Sequence, residues 1–84
     1  MGAWILIVDD SLTVRMDLSE AFEAAGFSTL LASSVSEARA LLAREAILAV
    51  ILDVILPDED GLELLREIRG ARAAEAPFVL LLSS

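Results

Sequence analysis

The sequence predicts an α/β fold in which a parallel sheet of four strands carries helices on both faces. Short apolar runs, typical of strands buried on both faces, alternate with segments whose apolar residues recur at helical spacing. The resulting order is strand, helix, strand, helix, strand, helix, strand, an alternation that favours parallel strands joined by crossover helices. A length of 84 residues allows one domain at most.

The amino-terminal part of the chain predicts a strand followed by a helix. Residues 3–8 are a nearly continuous apolar run, which suits a buried strand. From Ser11 the apolar residues follow a helical period, and Gly26 stands where a helix stops. Five residues make up the predicted inward face of this first helix: Val14, Leu18, Ala21, Phe22 and Ala25.

A second strand and helix follow. Residues 27–32 predict a weaker strand. Ser34 fits the N-cap of a second helix that continues to about Arg44, and Glu37 is expected to reach back and complete a capping box. The residues of this helix expected to point inward are Val35, Ala38, Leu41 and Leu42.

The next segment predicts a third strand and a third helix. Residues 47–52 form an apolar run that should end near Asp53, and residues with turn chemistry follow. Apolar side chains then recur at three-residue spacing over residues 61–69, with Leu62, Leu65 and Ile68 in one row and Leu64 beside it. Gly70 is the expected C-cap.

The last predicted strand leaves the sheet incomplete. Pro77 precedes five apolar residues, 78–82, which predict a fourth buried strand, and Ser83 and Ser84 follow. Such a strand would have an unpaired edge and uncovered apolar surface. We therefore expect either a truncated chain or a partner, such as a second copy that exchanges segments or forms a homodimer along the edge of the fourth strand.

The composition excludes several classes of function. Fourteen acids against six arginines give a net charge of −8, which disfavours direct binding to nucleic acid or to acidic membrane surfaces. The chain has no cysteine, histidine or lysine, which excludes disulfides, imidazole bases and the usual zinc ligands. We expect the six arginines to pair with nearby glutamates in solvent. No transmembrane run or signal peptide is visible, so a cytoplasmic protein is expected.

Polar side chains follow the predicted strands at the edge of the sheet where ligands bind in open parallel sheets. They are Asp9, Asp10, Asp53, Ser83 and Ser84. If the third strand pairs with the first, three carboxylates converge and repel one another unless a cation neutralises them. All-oxygen ligation suits Mg²⁺, for which Mn²⁺ could substitute. The pattern therefore predicts a divalent metal site.

The three acids suggest different roles, and each has a simpler explanation. Asp53 interrupts an apolar segment and is the better candidate for a nucleophile toward phosphorus, whereas the Asp9-Asp10 doublet suggests a metal clamp. An Asp-Asp pair after a strand also occurs at turns and helix N-termini, and Asp10 could cap the first helix. Asp53 could instead accept a hydrogen bond from a loop amide.

Three segments of the sequence carry a family pattern. Residues 5–11 are Ile-Leu-Ile-Val-Asp-Asp-Ser, residues 50–61 place Asp53 before Pro57 and Gly61, and residues 77–83 are Pro-Phe-Val-Leu-Leu-Leu-Ser. Taken together, they resemble the receiver domain of two-component response regulators, over all 84 residues. The resemblance implies a flavodoxin-like, CheY-like fold.

The same resemblance implies the chemistry of the site. Asp53 would accept a phosphoryl group from a histidine kinase or a histidine phosphotransfer protein, and the first helix would be the surface on which that partner docks. Ser83 would be the switch hydroxyl that bonds the phosphoryl group. The Mg²⁺ ligands would be Asp9, Asp10, Asp53 and the backbone carbonyl of Ile55. Such a module receives a phosphoryl group itself and is not an enzyme that turns over a separate substrate.

The sequence departs from the family in two respects. Leu56 stands where the family often has methionine. Complete receivers also continue through a fourth helix, a fifth strand with an essential lysine and a fifth helix, none of which is present in the 84 residues. Without that lysine, the incoming phosphoryl group lacks one cationic partner.

Two other functions fit the pattern less well. The chain could be a pseudo-receiver, an interaction module that is not phosphorylated. It could also be a phosphohydrolase that forms an aspartyl phosphate, but such enzymes resemble one another in placing a general acid two residues after the nucleophile, where this chain has Ile55. A nucleotide-binding role is disfavoured because no glycine-rich loop follows the first strand.

Overall fold

A computed structural model describes residues 4–53, 61–70 and 77–82 of the chain. These residues form a four-stranded parallel sheet with the order β2-β1-β3-β4, which confirms the predicted α/β class. The elements in chain order are β1 (Trp4–Val8), α1 (Leu12–Ala24), β2 (Ser28–Ala32), α2 (Val35–Arg44), β3 (Ile47–Asp53), α3 (Gly61–Gly70) and β4 (Phe78–Leu82).

The two central strands, β1 and β3, are the most buried part of the sheet. Residues 5–8 and 50–53 are all buried, because helices cover both faces of these strands and neighbouring strands pair with both of their edges. Their unbroken apolar sequence is what such an environment requires. The chain passes from β1 to β2 on one side and then to β3 on the other, so the strand order reverses between β1 and β3.

Helices pack on both faces of the sheet. On one face, α2 and α3 cover the sheet residues Leu6, Val8, Val50 and Leu52, and the helices contribute Val35, Ala38, Leu64 and Ile68 to that core. On the opposite face, α1 packs Leu18 and Phe22 against Ile5, Ile7 and Ile51. The side-chain alternation of the strands therefore divides the apolar residues between two cores.

Side-chain caps set the beginnings of α1 and α2. Ser11 is the N-cap of α1, and its hydroxyl accepts from the Val14 amide at 3.3 Å. Ser34 is the N-cap of α2, as predicted, with the Glu37 amide donating to its hydroxyl at 3.2 Å. The Glu37 carboxylate reaches back one residue further than predicted, because it accepts from the amide and hydroxyl of Ser33, both at 2.6 Å. Gly26 follows α1 with a φ of 96°, which confirms the predicted stop.

The structure corrects the predicted faces of α1 and α3 and the predicted end of α3. Ala21 and Ala25 are exposed, so the inward face of α1 is narrower than predicted and holds Val14, Leu18 and Phe22, none of them fully buried. In α3, Leu62 is exposed and the buried row is Gly61, Leu64 and Ile68. Gly70 is still helical and lacks a positive φ.

The fourth strand is present but is not buried as predicted. Phe78, Leu80 and Leu81 are exposed, with Phe78 at 79% and Leu80 at 60%. The strand lies at an edge of the described sheet and pairs with β3. The expectation of an open apolar edge is therefore confirmed for the described residues, whereas the expectation of a fully buried strand is wrong.

None of the helices in the described part of the chain is long and apolar enough to cross a bilayer.

Candidate functional site

Three carboxylates meet at the carboxyl ends of the two central strands. Asp9 directly follows β1, Asp10 is the next residue, and Asp53 is the last residue of β3. One carboxylate oxygen from each residue lies within 4.8 Å of the other two. The third strand pairs with the first, as the predicted convergence of the acids requires. That convergence is confirmed.

Burial distinguishes the three acids. Asp9 is 6% exposed and Asp53 is 8% exposed, whereas Asp10 is an exposed residue. Ionised side chains this buried need hydrogen bonds or a cation to offset the loss of water. The site therefore has two acids fixed at the edge of the sheet and a third at its solvent side.

Asp9 is held by hydrogen bonds at its amide, its carbonyl and its side chain. Its amide donates to the Ala32 carbonyl at 3.1 Å, which ties the end of β1 to the end of β2. Its Oδ1 accepts from the Ser11 amide at 2.8 Å, and its carbonyl oxygen accepts from Nη1 of Arg15 at 2.6 Å. These bonds orient the turn that leads from β1 into α1.

The alternative in which Asp10 caps the first helix is wrong. The cap of α1 is the Ser11 hydroxyl, and it is Asp9 that accepts the amide of Ser11. Asp10 is thus left at the solvent side of the acidic cluster. The simpler explanation of the Asp-Asp doublet as part of a turn applies to Asp9, whose Oδ1 accepts the amide two residues further along the chain.

Arg15 is the site residue that sequence analysis missed. We expected all six arginines to pair with glutamates in solvent, and Arg39 does so with Glu67 at 2.6 Å, as does Arg44 with Glu45 at 3.7 Å. Arg15 is instead partly buried and donates to the Asp9 carbonyl. A single arginine in the first turn of a helix that follows an acidic doublet was the available signal.

The start of α2 lies beside the same edge of the sheet. The pKa of the Glu37 carboxyl lies below its ordinary value, mainly because the hydroxyl and then the amide of Ser33 donate to it, with a smaller contribution from the charge of Arg15. The ionised Glu37 also lies in the first turn of α2, where the helix dipole favours a negative charge.

The three acids suit a hard divalent cation. They supply anionic oxygens only, which Mg²⁺ prefers, and they hold repelling charges close together. Oxygens bound to one Mg²⁺ lie at most about 4.2 Å apart, twice the usual metal–oxygen distance. The observed limit of 4.8 Å is slightly larger, so a small movement of these side chains would bring the three oxygens to binding distance.

Two further predicted site residues, Ile55 and Ser83, lie outside the described residues, as does Ser84. The backbone carbonyl of Ile55 as a metal ligand and the hydroxyl of Ser83 as a switch group stay predictions.

A model of the response regulator receiver domain matches residues 5–84 of the chain. The chain belongs to the response regulator receiver family. Among its relatives, the transcriptional regulatory protein GltR of Pseudomonas aeruginosa is 40% identical over 84 residues, which is 99% of this chain. Response regulator MprA of Mycolicibacterium vanbaalenii is 43% identical over 81 residues, or 96% of this chain. The receiver chain spans 35% of the length of each of these two relatives.

Solved receiver structures share the fold. The MaeR response regulator bound to beryllium trifluoride superposes with a TM-score of 0.85 at 31% identity, covering 98% of this chain and 67% of that one. A response regulator receiver protein from Pseudomonas putida gives a TM-score of 0.85 at 30% identity, covering 99% of this chain and 69% of that one. This chain is thus a CheY-like receiver, the phospho-accepting module of two-component signalling, and a phosphohydrolase is not favoured.

Proposed function

We propose that this receiver accepts a phosphoryl group on Asp53, from a histidine kinase or a histidine phosphotransfer protein, in a Mg²⁺-dependent reaction. The supporting observation is the position of Asp53 at the end of a central strand, with a carboxylate oxygen within 4.8 Å of oxygens of Asp9 and Asp10. A buried carboxylate with two acids beside it is suited to bind a cation and to attack phosphorus rather than to face solvent.

The transfer would make one bond and break one. A carboxylate oxygen of Asp53 attacks phosphorus while the bond between phosphorus and the imidazole nitrogen of the donor breaks, and that nitrogen keeps the bonding electron pair. The products are an acyl phosphate on Asp53 and a free histidine. The rigid backbone of β3 supplies the orientation of the attacking oxygen, which is the main contribution a protein makes to phosphoryl transfer.

The cation would be bound by this chain's own oxygens. The proposed ligands are Asp9, Asp10, Asp53 and the backbone carbonyl of Ile55. When bound, Mg²⁺ would draw negative charge from the transferring phosphoryl oxygens. The hydrogen bonds of Asp9 to Ala32, Ser11 and Arg15 would keep one ligand in place before the cation arrives, which reduces the reorganisation that binding requires.

The proposed partner is a protein and not a nucleic acid. The net charge of −8 disfavours direct contact of this segment with phosphate backbones. Leu12 and Met16 are exposed apolar residues one turn apart on α1, close to the acidic end of β1, and they offer a contact surface for the phosphodonor protein. In this role the chain receives a phosphoryl group, is not an enzyme acting on a separate substrate, and works in the cytoplasm.

Intact-mass spectrometry after incubation with phosphoramidate tests this function. With Mg²⁺ present, we expect the mass to increase by one phosphoryl group, and we expect no increase with EDTA or in Asp53→Asn. Asp17→Asn, which removes an exposed acid from α1, is the matched control and should be labelled like the parent chain.

Two results would contradict the proposal. Labelling of Asp53→Asn at the parental rate would show that another residue is the acceptor. No labelling of a longer chain that also carries the fifth strand with its lysine, under conditions in which calorimetry shows that Mg²⁺ is bound, would favour a pseudo-receiver that uses the same fold for protein contacts.

A further inference from the structure

Arg15 occupies an unusual position for a surface arginine in an acidic protein. It lies in the first turn of α1 and is partly buried, and its Nη1 donates to the carbonyl oxygen of Asp9 at 2.6 Å. Three acids lie beside this carbonyl, yet the described hydrogen bond of the guanidinium is to the backbone and not to a carboxylate of the cluster. The contact therefore acts on the geometry of the turn.

The carbonyl that Arg15 holds belongs to the peptide that joins Asp9 to Asp10. The amide on the other side of Asp9 is fixed by the Ala32 carbonyl at 3.1 Å. Because the amide and the carbonyl of Asp9 are both hydrogen-bonded, the plane of the Asp9-Asp10 peptide is fixed. The direction in which the chain continues to Asp10 is then fixed as well. Asp10 is exposed, so the backbone is its main means of orientation. Its approach to Asp53 consequently depends on this peptide.

The charge of Arg15 also reaches the start of α2. The charge of Arg15 acts on Glu37, which accepts two hydrogen bonds from Ser33 at the beginning of α2. The guanidinium is thus held to the β1–α1 turn by a hydrogen bond and acts on the start of α2 through its charge. A partly buried arginine that donates to a carbonyl is less free to rotate than a solvated one.

We propose that Arg15 is a positioning residue of the acidic site: it holds the Asp9-Asp10 peptide in the orientation that directs both carboxylates toward Asp53. This inference rests on the proposed Mg²⁺ site. It makes a prediction whose sign is opposite to that of simple electrostatics. By simple electrostatics, removal of a positive charge next to three carboxylates should strengthen cation binding, because the arginine no longer repels the cation. Loss of positioning should weaken it.

Isothermal titration calorimetry with MgCl₂, without any phosphodonor, measures the difference. We expect Arg15→Ala to weaken Mg²⁺ binding on the order of tenfold, the effect usual for groups that orient metal ligands. Arg15→Lys keeps a positive charge and N–H donors on a shorter side chain, and should recover part of the affinity. Arg44→Ala removes an equal charge from the far end of α2, where the exposed Arg44 pairs with Glu45, and should leave the affinity unchanged.

Mg²⁺ affinity in Arg15→Ala that equals or exceeds that of the parent chain would overturn the inference. If Arg15→Ala does not fold at the assay temperature, as judged by circular dichroism, Arg15→Gln carries the same test, because it keeps most of the stem and removes the charge. A parent chain that binds no Mg²⁺ would overturn the proposed metal site itself. A loss of affinity that is equal in Arg15→Ala and Arg44→Ala would show that the effect does not depend on the contact with the Asp9 carbonyl, and would reject positioning.

Discussion

Val8 of β1 lies opposite Leu52 of β3 in a parallel register, and both side chains are fully buried. The residues that follow them, Asp9 and Asp53, therefore leave the central strands at the same level of the same edge. A slip of one residue would move each apolar side chain to the wrong core, so the register is strongly specified. The core thus determines the separation of the two buried acids.

The first prediction concerns the charge repulsion in the acidic cluster. Asp10 is exposed, so Asp10→Asn removes one charge without leaving a buried group unpaired. Asp10 takes part in two of the three carboxylate pairs, and at separations of up to 4.8 Å each pair in a watery environment repels by about 1 kcal/mol. We expect the free energy of unfolding in EDTA to increase by up to about 2 kcal/mol. Urea unfolding followed by circular dichroism measures it.

The same variant should respond less to metal. Binding of Mg²⁺ to the native state alone would stabilise the parent chain by an amount that grows with the logarithm of the affinity. Asp10→Asn lacks one anionic ligand, so the gain in stability on adding Mg²⁺ should shrink. Asp17→Asn, on the exposed face of α1, is the control and should keep the full gain. An equal gain in all three chains would place the cation elsewhere.

The acids of the site could be located from the sequence because their positions depend only on where the buried strands end. Each follows an apolar run, and carboxyl ends of parallel strands share an edge. The bond from Arg15 to the Asp9 carbonyl could not be derived in this way, since it depends on the rotamer of a long side chain and on how α1 approaches the turn. The periodicity of apolar residues predicts which face of a helix is buried. It does not predict where the tip of a flexible side chain such as arginine lies.

The exposure of β4 shows a second limit. An apolar run is the same in sequence whether the strand is central or at an edge, so residues 78–82 and residues 47–52 gave the same prediction. Burial depends on which elements cover the strand, a property of the whole sheet. The small residues of α1 were misplaced for a related reason, because alanine is compatible with both faces of a helix.

The second prediction is a pH dependence at the start of α2. The pKa of Glu37 is lowered from its ordinary value of 4.5, chiefly by hydrogen bonds from Ser33. A lowered native pKa stabilises the fold above the unfolded pKa, and that stability is lost as the pH falls through the native pKa. The parent chain should therefore be more stable than Glu37→Gln at pH 7, and the difference should vanish in acid well below pH 4.5.

Equilibrium unfolding at a series of pH values provides the measurement. Glutamine keeps an oxygen acceptor, so the comparison isolates the charge rather than the hydrogen bond. Glu20→Gln, an exposed acid on α1, is the control and should show no such change. A difference between parent and Glu37→Gln that is constant down to strongly acidic pH would contradict the assignment.

The third prediction concerns the end of α1. Gly26 has a φ of 96°, and a Cβ at this position would meet nothing within 4 Å. Any cost of Gly26→Ala is therefore a backbone cost, and we expect a loss of about 1 to 2 kcal/mol in the free energy of unfolding. Gly26→Asn should lose less, since asparagine tolerates this region better.

Gly70 provides a matched comparison for Gly26. It is the last residue of α3, its φ is not positive, and a Cβ there also meets nothing within 4 Å. Gly70→Ala should thus be neutral or stabilising by up to about 1 kcal/mol, because alanine has the higher helix propensity. Thermal unfolding of both variants tests the pair, and equal destabilisation of the two would contradict the backbone argument.

The fourth prediction concerns self-association along β4. Within the described sheet, β4 pairs with β3 and its other edge is open, while Phe78 and Leu80 are exposed. An open apolar edge is a template for pairing with an identical strand around a two-fold axis. We expect the 84-residue chain to dimerise in sedimentation velocity, more strongly at high salt, because two chains of charge −8 repel each other.

Leu80→Lys should restore the monomer, because a charge on an edge strand opposes strand pairing. Leu12→Lys is the control: Leu12 is 63% exposed, at least as accessible as Leu80, but lies on α1 away from the sheet edge. If apolar exposure alone drove association, both substitutions would reduce it equally, whereas pairing at the edge predicts an effect of Leu80→Lys only. A monodisperse monomer of the parent chain at high concentration and high salt would contradict the prediction.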